Sequence, residues 1–118
     1  MRFVSVLCAA ALLAGCTSAE PQVLADIRSL EQSEFGRRAA IQVLSAGPGE
    51  GDSDNVYYHL ELFVTAKEDV AVSRGPFKGL TLRRGEKSPV IRLEVLYQWR
   101  DGAWRRSADY RQDDPANW

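Results

Sequence analysis

The residues with the clearest potential for chemistry stand at the start of the chain. Met1-Arg2 carries one positive side chain, residues 3–13 form an apolar run, and Leu13-Ala14-Gly15-Cys16 follows. A basic start, an apolar core and small residues before a cleavage point are the pattern of a secretory signal peptide. The apolar run is shorter than the roughly 20 residues that a transmembrane helix needs. The pattern therefore predicts an export segment that is cut off.

The four residues Leu13-Ala14-Gly15-Cys16 resemble the lipobox of bacterial lipoproteins. The resemblance implies cleavage before Cys16, a diacylglyceryl group on its sulfur and an acyl chain such as palmitate on its new amino group. One acyl chain binds a membrane only marginally and stable anchoring takes two signals, so this covalent lipid would suffice as an anchor. The alternative is an ordinary signal peptide cut at another small residue, such as Ala19.

The resemblance also implies a location in the bacterial cell envelope. In lipoproteins of Gram-negative bacteria an Asp after the cysteine usually marks retention at the inner membrane, and this chain has Thr17 there. We therefore expect the outer membrane, facing the periplasm. Cys8 would leave with the signal peptide, so Cys16 is the only cysteine expected in the mature chain. No disulfide can then form within one mature chain, and the fold must depend on its core.

The chain of 118 residues is long enough for one domain after the export segment. We expect a signal peptide at 1–15, the lipidated cysteine and a tether at 16–20, a single domain at 21–112 and a polar tail at 113–118. Four extended tether residues reach at most roughly 14 Å. The domain is therefore expected to lie against its membrane, with a partner in or on that membrane.

Charge is unevenly distributed along the chain. Residues 17–72 hold ten acidic and four basic side chains, whereas residues 73–111 hold four acidic and ten basic ones. Such asymmetry can indicate an anionic partner, or the two halves can interleave in space and pair their charges. For one small sheet we expect pairing, and we expect no nucleic-acid partner in this compartment.

The first half of the chain predicts one helix and two strands. Val23, Ile27 and Leu30 recur at helical spacing within 21–35, and Gly36 is a plausible end of that helix. Residues 39–45 read as a strand and the glycine-rich stretch 47–55 as a loop. Residues 56–65 alternate strictly, which predicts a long strand with one buried face. That face holds Val56, Tyr58, Leu60, Leu62 and Val64.

The second half predicts two short strands, at 70–73 and around 80–82, and then a hairpin. Asp101-Gly102 between two alternating runs, 90–100 and 103–111, is a strong hairpin signal. A two-residue turn predicts five opposed pairs along the hairpin: Arg100 with Ala103, Trp99 with Trp104, Tyr97 with Arg106, Val95 with Ala108, and Leu93 with Tyr110. Arg106 is the one charged residue on the apolar face, where it can stack on the ring of Trp99, Trp104 or Tyr97 or lie at the sheet edge with its head in water.

One helix followed by an antiparallel meander predicts an α+β fold with the helix on about four to six strands. This arrangement resembles the cystatin-like fold class, and Tyr97-x-Trp99-x-Asp101-Gly102-x-Trp104 resembles the closing hairpin of many NTF2-like domains. NTF2-like domains usually have several N-terminal helices, so no pocket or catalytic residue carries over. The alternative is a small β-sandwich or barrel with one helix.

No residue pattern predicts an active site. His59 and Glu61 share a strand face, but the sequence has one histidine and a metal site needs further ligands, so we expect a surface histidine and no cofactor beyond the lipid. We expect a non-enzymatic interaction or accessory protein of the envelope. The alternative is a small-ligand-binding periplasmic domain with an aromatic pocket between helix and sheet, lined by Tyr58, Tyr97, Trp99 and Trp104. The candidate contact residues for either role are Tyr58, Tyr97, Trp99, Trp104, Arg106 and Trp118.

Overall fold

One helix packs against a curled antiparallel sheet of five strands in the computed structural model, which describes residues 18–112. The sheet has the order β1-β2-β5-β6, and β7 also pairs with β5; β3 and β4 form a separate two-stranded sheet. The predicted α+β fold is therefore confirmed. The elements are α1 (Glu20–Glu34), β1 (Ala39–Gly51), β2 (Asn55–Ala66), β3 (Val70–Ala71), β4 (Thr81–Leu82), β5 (Ile91–Arg100), β6 (Ala103–Arg106) and β7 (Arg111–Gln112).

Helix α1 begins and ends within one residue of its predicted bounds. Pro21 lies in its first turn, where the missing amide hydrogen costs no helical bond. Val23 and Ile27 are buried, as the apolar spacing predicted. After Phe35 the chain turns at Gly36, whose φ of 58° suits glycine and whose amide donates to the carbonyls of the last helical turn.

Strand β2 lies at the centre of the fold and has the predicted buried face. Its fully or nearly fully buried residues alternate along the strand: Tyr58, Leu60, Leu62, Val64 and Ala66. Val56, at its start, is partly buried against the same core. Just after the end of α1, the rings of Phe35 and Phe77 pack together with their centroids 5.1 Å apart.

Strand β1 is longer than predicted. Residues 47–51, which were expected to belong to a loop, are part of the strand. The pairing with β2 continues to Gly51, interrupted by irregularities between Val43 and Ser45 and between Pro48 and Gly51. Pro48 has no amide hydrogen to donate. It is tolerated because β1 is an edge strand, where an amide that points away from β2 makes no hydrogen bond between strands. Only the turn at Asp52–Asp54 remains outside the strands, so cross-strand pairing overrides the loop composition.

The closing hairpin has the predicted register near its turn. Trp99 opposes Trp104, and Tyr97 opposes Arg106. The two turn residues both have positive φ, 54° at Asp101 and 80° at Gly102, which is the geometry of a type I′ turn.

Beyond Arg106 the predicted register is wrong. Leu93 opposes Gln112 where Tyr110 was expected, and Glu94 opposes Arg111 in the same shifted register. The strand ends at residue 106 and the chain loops out before β7, so two extra residues are accommodated. A shift of two residues preserves the faces of the sheet, and Glu94 and Arg111 consequently form a direct ion pair.

The buried face of β2 predicts where a truncation is costly. Leu62→Ala removes a side chain with no exposed surface and should lower the free energy of unfolding by about 2–5 kcal/mol. Leu44→Ala is the matched control, because Leu44 is 51% exposed and its loss should change the value by less than about 0.5 kcal/mol. Urea unfolding followed by tryptophan fluorescence measures both. Equal losses would contradict the assignment of the core.

Candidate functional site

The chain joins the folded domain at Ser18, the first residue that the structure describes. The Ser18 hydroxyl lies 3.3 Å from the Tyr58 hydroxyl and accepts a hydrogen bond from the Glu20 amide at 3.1 Å. Ala19 is only 3% exposed and belongs to the core. Cys16 itself lies outside the described residues. Ser18, Ala19 and Glu20, expected in the tether, are therefore in contact with or part of the domain.

Tyr58 and Tyr97, two of the predicted contact residues, lie in the core between α1 and the sheet. Their rings meet edge to face with centroids 6.2 Å apart, and both side chains are almost fully buried. The Tyr97 hydroxyl donates to the Asp26 carboxylate of α1 at 2.5 Å. The aromatic rings thus fill the helix–sheet interface at this point; the Tyr97 hydroxyl binds the helix at Asp26, and the Tyr58 hydroxyl contacts Ser18, just before the helix.

A second phenol lies beside this contact. Tyr110 is 8% exposed, and its hydroxyl is buried without a hydrogen-bond partner among residues 18–112. Burial raises the pKa of Tyr97 far above its ordinary value, and the hydrogen bond with Asp26 adds to the rise. Burial likewise raises the pKa of Tyr110. Both phenols therefore stay protonated at neutral pH and do not act as bases, and the Tyr97 hydroxyl donates to Asp26.

Sequence reasoning missed the participation of Asp26 and Tyr110. The signal for Asp26 was its position on the helix, between the buried Val23 and Ile27, where an acid needs a partner. Tyr110 was expected on the apolar face but in the strand register that proved wrong.

Arg106 lies beside Tyr110 and not over the rings named from the sequence. Its guanidinium is 5.0 Å from the Tyr110 ring centroid, donates to the Ala108 carbonyl at 2.8 Å and lies 3.6 Å from the Asp109 carboxylate. Arg106 is exposed, as the edge alternative predicted, and the ring that its guanidinium contacts is Tyr110, because the chain loops out after β6.

These residues border a cleft of about 470 Å³ between α1 and the loop after β6. Its lining combines carboxylates, hydroxyls and a single guanidinium: Asp26, Ser29, Leu30, Ser33, Glu34, Gly75, Pro76, Arg106, Asp109 and Tyr110. The Arg106 charge is already engaged by Asp109, so the cleft has no cation directed at an anionic ligand.

Trp99 and Trp104 form a pair near the turn of the closing hairpin. Their ring centroids are 5.4 Å apart and nearly perpendicular, and both side chains are half-buried. The Trp99 amide donates to the Asp54 carbonyl at 2.8 Å, which joins this hairpin to the turn between β1 and β2. Trp118, the remaining candidate, lies outside the described residues.

Charged side chains pair across the outer face of the sheet. Arg92 donates to Glu61 at 3.0 Å, so an acid of the first half of the chain meets a base of the second half. His59 opposes Glu94, with 3.9 Å between Nε2 and a carboxylate oxygen. His59 is thus a partly exposed surface residue, as expected, and its carboxylate neighbour is Glu94.

The carboxylate of Asp52 stabilises the turn between β1 and β2. Asp52 accepts hydrogen bonds from the amides of Asp54 and Asn55, and the Asp54 amide, with the Asn55 side chain, lowers the pKa of the Asp52 carboxyl. Across residues 18–112 no three potential ligand side chains lie close enough together to hold a metal ion.

The free edge of β1 borders a groove of about 410 Å³ beside α1. The Ile41 amide points to this edge and donates to the Glu31 carboxylate at 2.6 Å. Because the hydrogen-bonding direction alternates along a strand, the amide and carbonyl of Val43 point the same way. The groove walls are Leu24, Ile27, Arg28, Glu31, Ile41, Gln42 and Val43.

The chain matches no protein-family model, no curated protein and no solved structure in comparisons with each. No helix within residues 18–112 is long and apolar enough to cross a membrane.

The buried phenols predict an alkaline limit to stability. An unfolded tyrosine loses its proton near pH 10, whereas folded Tyr97 keeps its proton. Above about pH 10 the folded state thus binds more protons, so the free energy of unfolding falls as pH rises. Tyr97→Phe should reduce that fall by up to about 1.4 kcal/mol per pH unit.

Urea unfolding at a series of pH values from neutral to strongly alkaline measures this dependence. Tyr57→Phe is the control, because the Tyr57 ring is exposed and its removal should leave the slope unchanged. A Tyr97→Phe slope equal to that of the unaltered protein would show that the buried phenol does not control alkaline stability.

Proposed function

We propose that this protein is a small membrane-anchored lipoprotein of the bacterial cell envelope, without catalytic activity, that acts as an interaction or accessory protein. One observation carries the proposal: Ser18, two residues after Cys16, contacts Tyr58 of the folded domain. Two residues span roughly 7 Å. A lipid on Cys16 would therefore hold the domain directly against the membrane surface.

The packing of Ser18 and Ala19 supports cleavage before Cys16 over a cut after Ala19. A cut after Ala19 would remove the hydrogen-bonding group at Tyr58 and a buried methyl group from the core. Cleavage before Cys16 leaves both contacts intact. Thr17 in place of Asp favours the outer membrane and its periplasmic face, if the envelope is that of a Gram-negative bacterium.

The side chains of the described residues favour binding over catalysis. The buried phenols of Tyr97 and Tyr110 stay protonated, and His59 faces Glu94 on the outer sheet face. Asp26 is engaged by Tyr97. General acid–base catalysis needs groups that change protonation near the working pH and contact a substrate. The function proposed for this chain is instead attachment to the membrane and recognition of a partner.

The groove along β1 is the surface proposed for a partner protein. Outward-facing groups at Val43 offer main-chain hydrogen bonds, and Leu24 and Ile27 supply an apolar wall. An extended segment added to a sheet edge uses both kinds of contact. Because the anchor keeps the domain at the surface, the partner is a protein embedded in, or resting on, the same membrane.

The anchor makes the first prediction of this proposal. Cys16→Ala removes the lipid attachment atom, so the protein should lose its lipid label and move from the membrane to the soluble fraction. Cys8→Ala is the matched control, since Cys8 lies in the segment that is removed, and its membrane retention should be normal. Palmitate labelling and fractionation of cells measure both. Normal retention of the Cys16→Ala protein would refute the anchor.

The partner surface makes the second prediction. A photo-crosslinking amino acid at Gln42, an exposed groove residue, should give a discrete adduct in intact cells when the protein is membrane-anchored. The same group at Lys78, exposed away from the groove, is the control and should give none. Val43→Arg should abolish the Gln42 adduct by filling the groove. Equal adducts from both positions, or none from Gln42, would count against this surface.

A further inference from the structure

The end of the sheet near Ser18 also carries both of its hairpin turns. Tyr58, which contacts Ser18, lies close to the start of β2 at Asn55. Asn55 opposes Gln98, near the end of β5. The turn at Asp52–Asp54 and the turn at Asp101-Gly102 are therefore neighbours, and both lie at the end of the domain where the chain arrives from Cys16.

This end of the sheet carries the tryptophan pair. Trp99 and Trp104 lie on the face that β5 directs toward α1, yet neither is fully buried, unlike Tyr97 in the same strand. Trp104 packs against the cluster of buried core residues, whereas Trp99 does not. A tryptophan combines an apolar ring with a polar N–H, which is why it concentrates where hydrocarbon meets lipid headgroups.

Charges of both signs lie on the two turns and the hairpin at this end of the sheet. Arg100 and Arg105 are exposed on the closing hairpin, and Asp101 is exposed in its turn. Asp52 and Asp54 are exposed on the neighbouring turn. A zwitterionic headgroup presents both a phosphate and an ammonium group, so it meets this mixed pattern without requiring a net charge on either side.

We propose that the Trp99–Trp104 hairpin end is a membrane-contact surface, with its indoles at the headgroup boundary of the phospholipid layer that holds the anchor. The inference rests on the proposed function, because the anchor brings this end to the membrane. The inference also defines how the domain is oriented. The two turns face the lipid, and the opposite end of the sheet, at Val90, points away from it. The second contact would restrain rotation about a single lipid attachment.

The test uses the full lipidated chain carrying Trp118→Phe, which leaves Trp99 and Trp104 as the two tryptophans. The protein is reconstituted into phosphatidylcholine vesicles with either plain or brominated acyl chains. Bromine quenches nearby indoles, so the emission in brominated vesicles should fall to a minor part of that in plain ones. Adding phosphatidylglycerol should leave the quenching nearly unchanged. Equal emission in plain and brominated vesicles would overturn the proposal.

A matched reporter at the other end checks the orientation. Val90→Trp, in a chain whose three native tryptophans are replaced by Phe, places an indole at a residue that is 46% exposed. It should keep its full emission in brominated vesicles. Quenching there equal to that of Trp99 and Trp104 would contradict the orientation and overturn the proposal.

The same samples separate this inference from the proposed function. The mass of the N-terminal peptide reports lipid on Cys16, and flotation with vesicles reports anchoring. A lipidated, floating protein without quenching would overturn the membrane-contact surface alone. A protein without lipid on Cys16 would overturn both.

Discussion

The burial of one face of β2 beneath α1 is the constraint on which the rest of the structure depends. Residues 18–112 contain no cysteine, so within them the helix is held by packing and by a few polar contacts. Leu60, Leu62 and Val64 supply the packing. The hydroxyls of Tyr58 and Tyr97 contact Ser18 and Asp26, which fixes where the helix begins and how it lies across the sheet. The place at which the chain enters the domain follows from these contacts.

The contact between Ser18 and Tyr58 relates the fold to the proposed anchor at Cys16. A lipid on Cys16 would lie two residues before Ser18 and four before α1, so the domain would have little freedom and the fold would set its orientation. The β1 groove and the Trp99–Trp104 hairpin end then have distinct expected neighbours, a protein in the first case and lipid in the second. The cleft beside Arg106 has a different character, because its guanidinium is already engaged by Asp109 and the Tyr110 ring.

Local patterns predicted the parts of the fold that local physics decides. Strict alternation placed the buried face of β2, helical spacing placed Val23 and Ile27, and Asp101-Gly102 placed the turn of the closing hairpin. The errors arose where tertiary pairing competes with composition. Gly47, Pro48 and Gly49 favour a loop, yet β2 offers enough backbone partners to keep this stretch in β1. The loop after Arg106 shifted the register by two residues, which alternation cannot detect because both registers place the same residues on each face.

The candidate residues were predicted less well than the elements, because contacts between distant segments set their roles. Arg106 stacks on Tyr110, and Tyr97 binds Asp26 across 71 positions of sequence. The central claim, a lipid on Cys16 that holds the domain at a membrane, depends on a covalent bond that mass spectrometry detects directly. The N-terminal peptide of the mature protein is expected to begin at Cys16 and to carry the mass of a diacylglyceryl group and an acyl chain. An unmodified N-terminus that begins after Ala19 would contradict it.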